Sequence, residues 1–168
     1  MSNLLESPEA LNEFLKLEAS DKVVAFSPVH VQMMDIGQYE QNYFDALGEN
    51  YLQLLEGYSQ IGYSWTATRH GKPFFCFGLC MLWPGVAEWW MVPDANLNKV
   101  GMPFCRAARQ FLDVIKEELC LVRLQCTVCT HNVQADKWIR FMQFEREGTL
   151  RKFGPERADY QMYSRLFT

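Results

Sequence analysis

An α/β fold, with a mixed and mostly antiparallel sheet carrying helices on both faces, is what this 168-residue chain predicts. Three observations predict it. The run from Val86 to Leu119 reads as an apolar strand, a Pro93-Asp94 break, a polar loop with one glycine, and an amphipathic helix. Two short turns, His70-Gly71-Lys72 and Pro84-Gly85, join strand-like runs, so the pairing there is antiparallel. A further apolar strand, Leu121–Thr130, follows the helix and closes a strand–helix–strand crossover, which fixes parallel pairing at that point.

The elements follow in order. Ser7-Pro8 opens a short helix, serine as N-cap and proline in the first turn, with Leu11, Phe14 and Leu15 on one side as a docking stripe. A strand is expected from about Val23 to Met33. From Ile36 to Leu55 the period turns helical, with Tyr39, Tyr43, Phe44 and Leu47 in one stripe, then Leu52 and Leu55 after a break at Gly48. Strands are expected at Tyr63–Thr68, Pro73–Leu82 and Ala87–Val92. The helix Pro103–Leu119 turns Phe104, Ala107, Phe111 and Ile115 inward, and Leu121–Thr130 reads as a strand buried on both faces. A helix over Asn132–Phe144 and two closing strands, Glu147–Phe153 and Tyr160–Leu166, complete the order βααβββαβαββ.

Composition narrows the function. A formal charge of −4 with no basic face argues against a nucleic-acid partner. The modest basic excess after Lys137 is interleaved with acids, as on a solvated surface. No apolar run is long enough to span a bilayer and no signal-peptide pattern opens the chain, so the expected location is cytosol, or a particle packaged from it. The six cysteines are expected as free thiols. Cys126 and Cys129 point to opposite faces of a strand, and Cys76 and Cys80 are too far apart to chelate, so no metal is expected.

Two stretches carry a resemblance: Ala87-Glu88-Trp89-Trp90-Met91-Val92-Pro93 with the helix beyond it, and Thr130-His131-Asn132-Val133-Gln134-Ala135 followed by Trp138, Phe141 and Phe144. With the strand Glu147-Gly148-Thr149-Leu150-Arg151 they resemble the GNAT superfamily of acyltransferases over about residues 22–168, leaving residues 1–21 as an N-terminal helical extension. The long helical stretch, the tryptophan-rich fourth strand and the short ending are most similar to the GNAT-like internal virion and morphogenesis proteins of short-tailed bacteriophages.

That resemblance implies an acetyl-CoA site, and the residues are mixed in meeting it. The pyrophosphate loop of the family has the form Gln/Arg-x-x-Gly-x-Gly/Ala, whose bare backbone approaches the phosphates. Here those positions are Asn96, Lys99 and Gly101, so one of three matches. The family's thiolate-protonating tyrosine falls on Ile139, and the glycine before the closing phenylalanine is Gln143. Glu88 falls where the family often holds a carboxylate base, and His131 is a second candidate base. If CoA binds, the expected contacts are Met91, Val92, Asn96, Lys99, Val100, Gly101, Met102 and Asn132.

The first expectation is therefore a non-catalytic GNAT-like phage protein, cofactor-free, acting through protein partners in the virion or the host, with the helix around Leu11 and Phe14 as docking element. The alternatives are an active acetyl-CoA-dependent N-acyltransferase using Glu88, and a pseudoenzyme that binds CoA or a host protein.

Overall fold

The computed structural model describes residues 4–99 and 101–168. In chain order the elements are α1 (Pro8–Leu15), β1 (Asp21–Ala25), α2 (Pro28–Gln32), α3 (Gln38–Leu47), α4 (Asn50–Gln60), β2 (Ser64–Arg69), β3 (Lys72–Trp83), β4 (Val86–Pro93), α5 (Gly101–Glu118), β5 (Arg123–Cys129), α6 (Val133–Phe141), β6 (Glu145–Leu150) and β7 (Tyr160–Leu166). The strands form one sheet in the order β1-β2-β3-β4-β5-β7-β6. Every neighbouring pair is antiparallel except β4·β5, the parallel pair set by the α5 crossover. Among the described residues no helix is long and apolar enough to cross a membrane.

Local chemistry explains most boundaries. Ser7 accepts a hydrogen bond from Ala10 N–H at 3.2 Å, and Pro8 occupies the first turn, where a missing N–H is harmless. Gly48, at φ +58°, separates α3 from α4. The expected strand from Val23 to Met33 is corrected: it stops at Ala25, because Ser27-Pro28 starts the short helix α2. The helical stretch also runs further than expected, to Gln60.

The sheet separates two apolar layers. On one face Trp65, Phe75, Phe77, Leu79 and Trp89 meet α1, α5 and α6. Phe111 of α5 stands edge-on to Trp65 (5.0 Å between centroids) and Phe77 (5.2 Å), and burying such a ring stabilises the fold by about 1.5–3 kcal/mol. On the other face Cys76 and Val92 meet Phe26, Val31, Phe44 and Leu55 from the α2–α4 layer. Leu11 and Leu15 of α1 belong to the first layer, while Phe14, expected beside them, is exposed. Likewise Phe44 is buried, but Tyr39, Tyr43 and Leu52 reach solvent.

Asn12 ties α1 to the sheet. Its Nδ2 donates to Pro8 O and Val23 O, and its Oδ1 accepts from Val23 N–H, each at 2.7 Å. The Phe26 N–H to Ser64 O bond (3.2 Å) sets the ladder phase, so Val23 directs its backbone away from β2 and out of the sheet. The Asn12 carboxamide thus takes the place of an eighth strand at that position.

Strand β5 departs from expectation. Its Leu124, Cys126 and Cys129 are buried, but Arg123, Gln125 and Thr127 are only partly covered. The reason is chemical: the second face carries polar side chains, and these belong to the site.

Candidate functional site

The site lies where β4 and β5 part. Their registered pairs are Val86↔Arg123, Ala87↔Leu124 and Glu88↔Gln125, and pairing stops there, although β4 runs on to Pro93 and β5 to Cys129. Asp94 N–H donates to Phe74 O at 2.9 Å, so Glu88, Trp90 and Val92 turn their backbone groups to β3. Trp89, Met91 and Pro93 therefore face β5. On the opposite bank, Thr130 N–H to Asp159 O (3.0 Å) and Phe167 N–H to Val122 O (3.0 Å) set the β5·β7 ladder. Thr127 and Cys129 consequently face β4. Beyond Glu88, the N–H and C=O of Met91 and Thr127 open into a wedge instead of bonding each other.

Both parallel strands end at the mouth of this wedge, so α5 and α6 start there and direct N-terminal N–H groups toward it. Gly101 opens α5 at φ +81°, a conformation that favours glycine. The loop before it is tied down on its other side. Asp94 Oδ1 accepts from Asn96 N–H at 2.9 Å, and Asp94 Oδ2 accepts from Asp35 N–H at 3.1 Å. Residues 97–99 form one 3-10 turn, and Lys99 Nζ donates to Asn96 Oδ1 at 2.8 Å. Lys99 and Met102 are exposed, and Val100 lies outside the described residues. At the start of α6, Asn132 Oδ1 accepts from Ala135 N–H at 3.0 Å, so the Asn-x-x-Ala spacing is an N-cap.

Glu88 stands at the apex, on the face shared with Trp90, Cys80 and Gln125. Trp90 stacks on Tyr58 at 4.2 Å, lies against Gly78, and buries its Nε1 without a hydrogen-bond partner among the described residues. Partial burial raises the pKa of Tyr43, burial raises those of Tyr58 and Cys80, and the Glu88 charge raises each further. Glu40 of α3 is half-buried, and burial pushes its carboxyl up. Tyr160, paired with Cys129 at the far end of the wedge, is raised by burial and then by Cys129, Glu40 and Tyr43. Tyr39 crosses this end, donating its hydroxyl to His131 O at 2.8 Å.

The structure brings Glu88, Met91, Val92, Gly101 and Asn132 to one wedge and its mouth. It does not bring His131 to Glu88. Cys129 is already about 13 Å past Gln125 along the strand, and His131 is exposed in the turn beyond. Ile139, the position expected to hold a tyrosine, is packed in the core beside Met142 and Phe144. Sequence reasoning missed Tyr43, Tyr58, Tyr160, Glu40 and Gln125, none of which lies in a motif. Among the described residues no group of His, Cys, Asp and Glu is arranged to hold a metal ion, and the cysteines are unpaired.

No family model and no curated protein matches this chain. Solved structures do. A GNAT-family acetyltransferase from Bacillus anthracis superposes with a TM-score of 0.67 at 14% identity, covering 89% of this chain and 96% of its own. RimL, a ribosomal L7/L12 α-N-protein acetyltransferase in complex with coenzyme A, gives 0.66 at 13%, covering 89% and 96%. The yncA protein of Salmonella typhimurium, with its cofactor acetyl-CoA, gives 0.63 at 9%, covering 89% and 95%. In strand order, in the parting of its one parallel pair and in this likeness along most of its length, the chain has the fold of the GNAT acetyltransferases.

Proposed function

We propose that this chain binds an acyl-CoA in the wedge between β4 and β5 and transfers the acyl group to an amine. One observation carries the reading: the β4·β5 ladder stops at Glu88↔Gln125, which leaves the Met91 N–H open beside a carboxylate at the apex. Met91 and Val92 of β4, Gly101 and Met102 at the start of α5, and Asn132 would hold the cofactor. Bound acetyl-CoA supplies an activated thioester. Glu88 would accept the proton of the attacking amine and Met91 N–H would bond the acyl oxygen; as the C–N bond forms the thioester C–S bond breaks, and the departing CoA thiolate takes up a proton. Tyr43 and Tyr160, held protonated, are hydroxyl donors on the same face in place of the tyrosine missing at Ile139.

A second reading, a non-catalytic internal virion or assembly protein of a short-tailed phage acting through protein partners, is favoured by Lys99 and Ile139. Lys99 brings a side chain where a phosphate cradle has bare backbone, and Ile139 is core.

Calorimetry with acetyl-CoA, followed by turnover of acetyl-CoA against a panel of amines, separates the two. The acyltransferase reading expects binding that Gly101→Glu abolishes, and a loss of about 10²–10⁴-fold in kcat for Glu88→Gln with binding retained. No binding at millimolar acetyl-CoA would sink it in favour of the assembly role.

A further inference from the structure

We propose that Gln125 is a positioning residue for Glu88, and that Arg123 and Glu147 set Gln125 in turn. The inference rests on the acyltransferase reading of the same wedge and deepens it. Glu88 Oε2 accepts from Gln125 Nε2 at 3.4 Å. Gln125 Oε1 accepts from Arg123 Nε at 2.9 Å. The guanidinium of Arg123 then grips Glu147 with two bonds, NH1 to Oε1 at 2.7 Å and NH2 to Oε2 at 2.6 Å. Ser164 Oγ, buried on β7, donates to Glu147 Oε1 at 2.6 Å. The polar chain crosses β4, β5, β7 and β6 on one face of the sheet.

The direction of this chain is dictated by chemistry. Arg123 has only donors, so the atom of Gln125 that meets it must be the carbonyl oxygen. That choice turns the Gln125 NH2 group toward Glu88, where only an acceptor can receive it. The fork of Arg123 is itself locked by the bidentate grip of Glu147, a geometry lysine cannot copy. An ion pair on the outer strand β6 thereby orients a neutral amide, and the amide presents an N–H to the carboxylate at the apex. None of Gln125, Arg123 and Glu147 needs to touch a substrate to do this.

The decisive variant is Gln125→Glu, which keeps an acceptor for Arg123 and removes the donor to Glu88. Acetyl-CoA turnover with the best amine of the panel is expected to fall about tenfold in kcat while the KM for acetyl-CoA holds. The acid limb of the kcat/KM profile is expected to move to higher pH, and the melting temperature to stay within a degree or two. Gln125→Leu and Arg123→Met should each reproduce the kcat loss, their combination should cost no more than either alone, and Arg123→Lys should not restore it. Side-chain 15N NMR gives a reading independent of activity: Glu88→Gln should shift the Gln125 Nε2 resonance, and Gln125→Leu the Arg123 Nε resonance. Wild-type kcat and pH profile in Gln125→Glu would overturn the positioning role while leaving the acyltransferase reading intact. A folded wild type with no turnover of any amine would overturn that reading, and the positioning role with it.

Discussion

Replacing Asn12 tests how the N-terminal helix is fastened. Its carboxamide makes three bonds of 2.7 Å, one within α1 and two to the outward backbone groups of Val23. A hydrogen bond contributes about 1 kcal/mol net, so Asn12→Ala should cost about 3 kcal/mol. For a chain of this length each kcal/mol moves the melting temperature by about 2–4 °C, which makes the expected drop about 6–12 °C. Asn12→Asp should cost at least as much at neutral pH, because a carboxylate replaces the donor that faces Pro8 O and Val23 O. Thermal unfolding by circular dichroism reads the size of the loss, and amide exchange locates it: the Val23 N–H, bonded to Asn12 Oδ1, should exchange much faster in Asn12→Ala. A variant that melts within 2 °C of wild type with Val23 still protected would refute the account of how α1 is held.

Two further outcomes are expected. In Gly78→Ala the new Cβ would meet Tyr63 O at 2.6 Å and Trp90 Cε2 and Cζ2 at 2.7 Å, so the indole must leave Tyr58. The expected cost of overpacking is about 1–3 kcal/mol, with a changed tryptophan emission, and wild-type emission and melting would contradict it. The Arg123 grip, helped by the Ser164 hydroxyl, lowers the Glu147 carboxyl from 4.5 to about 2. A depressed folded-state pKa stabilises above the unfolded value and stops doing so as pH falls through the folded one. The gap in melting temperature between wild type and Glu147→Gln should therefore be full above pH 4.5 and close on the way down to about pH 2; a gap that does not change over that interval would exclude the linkage.

What could be read in the chain before its structure was mostly local. Ser7-Pro8, Gly48 and the turns at His70-Gly71 and Pro84-Gly85 each act within a few residues, and the crossover after Val86 follows from the order of strand, helix and strand. Pro28 was misjudged because Val29 and Val31, good strand formers, outweighed the start signal of Ser27-Pro28. In the site, Glu88 and Met91 were legible only through the GNAT resemblance of the stretch Ala87–Pro93. Gln125 was not, since its partner Glu88 is 37 residues away and Arg123 meets Glu147 across 24. Such neighbours exist only once strand order and register are known. The loss of a tyrosine at Ile139 was visible as a residue type, but its place in the core was not.

The two rims of the sheet are unequal. At one, a side-chain amide already occupies the bonding groups of Val23; at the other, β6 lies largely exposed with charged residues along it. Copies joining rim to rim would meet no such obstacle along β6, where the charged side chains are the guard. Growth by an added strand along β1 would first have to displace the Asn12 carboxamide from Val23.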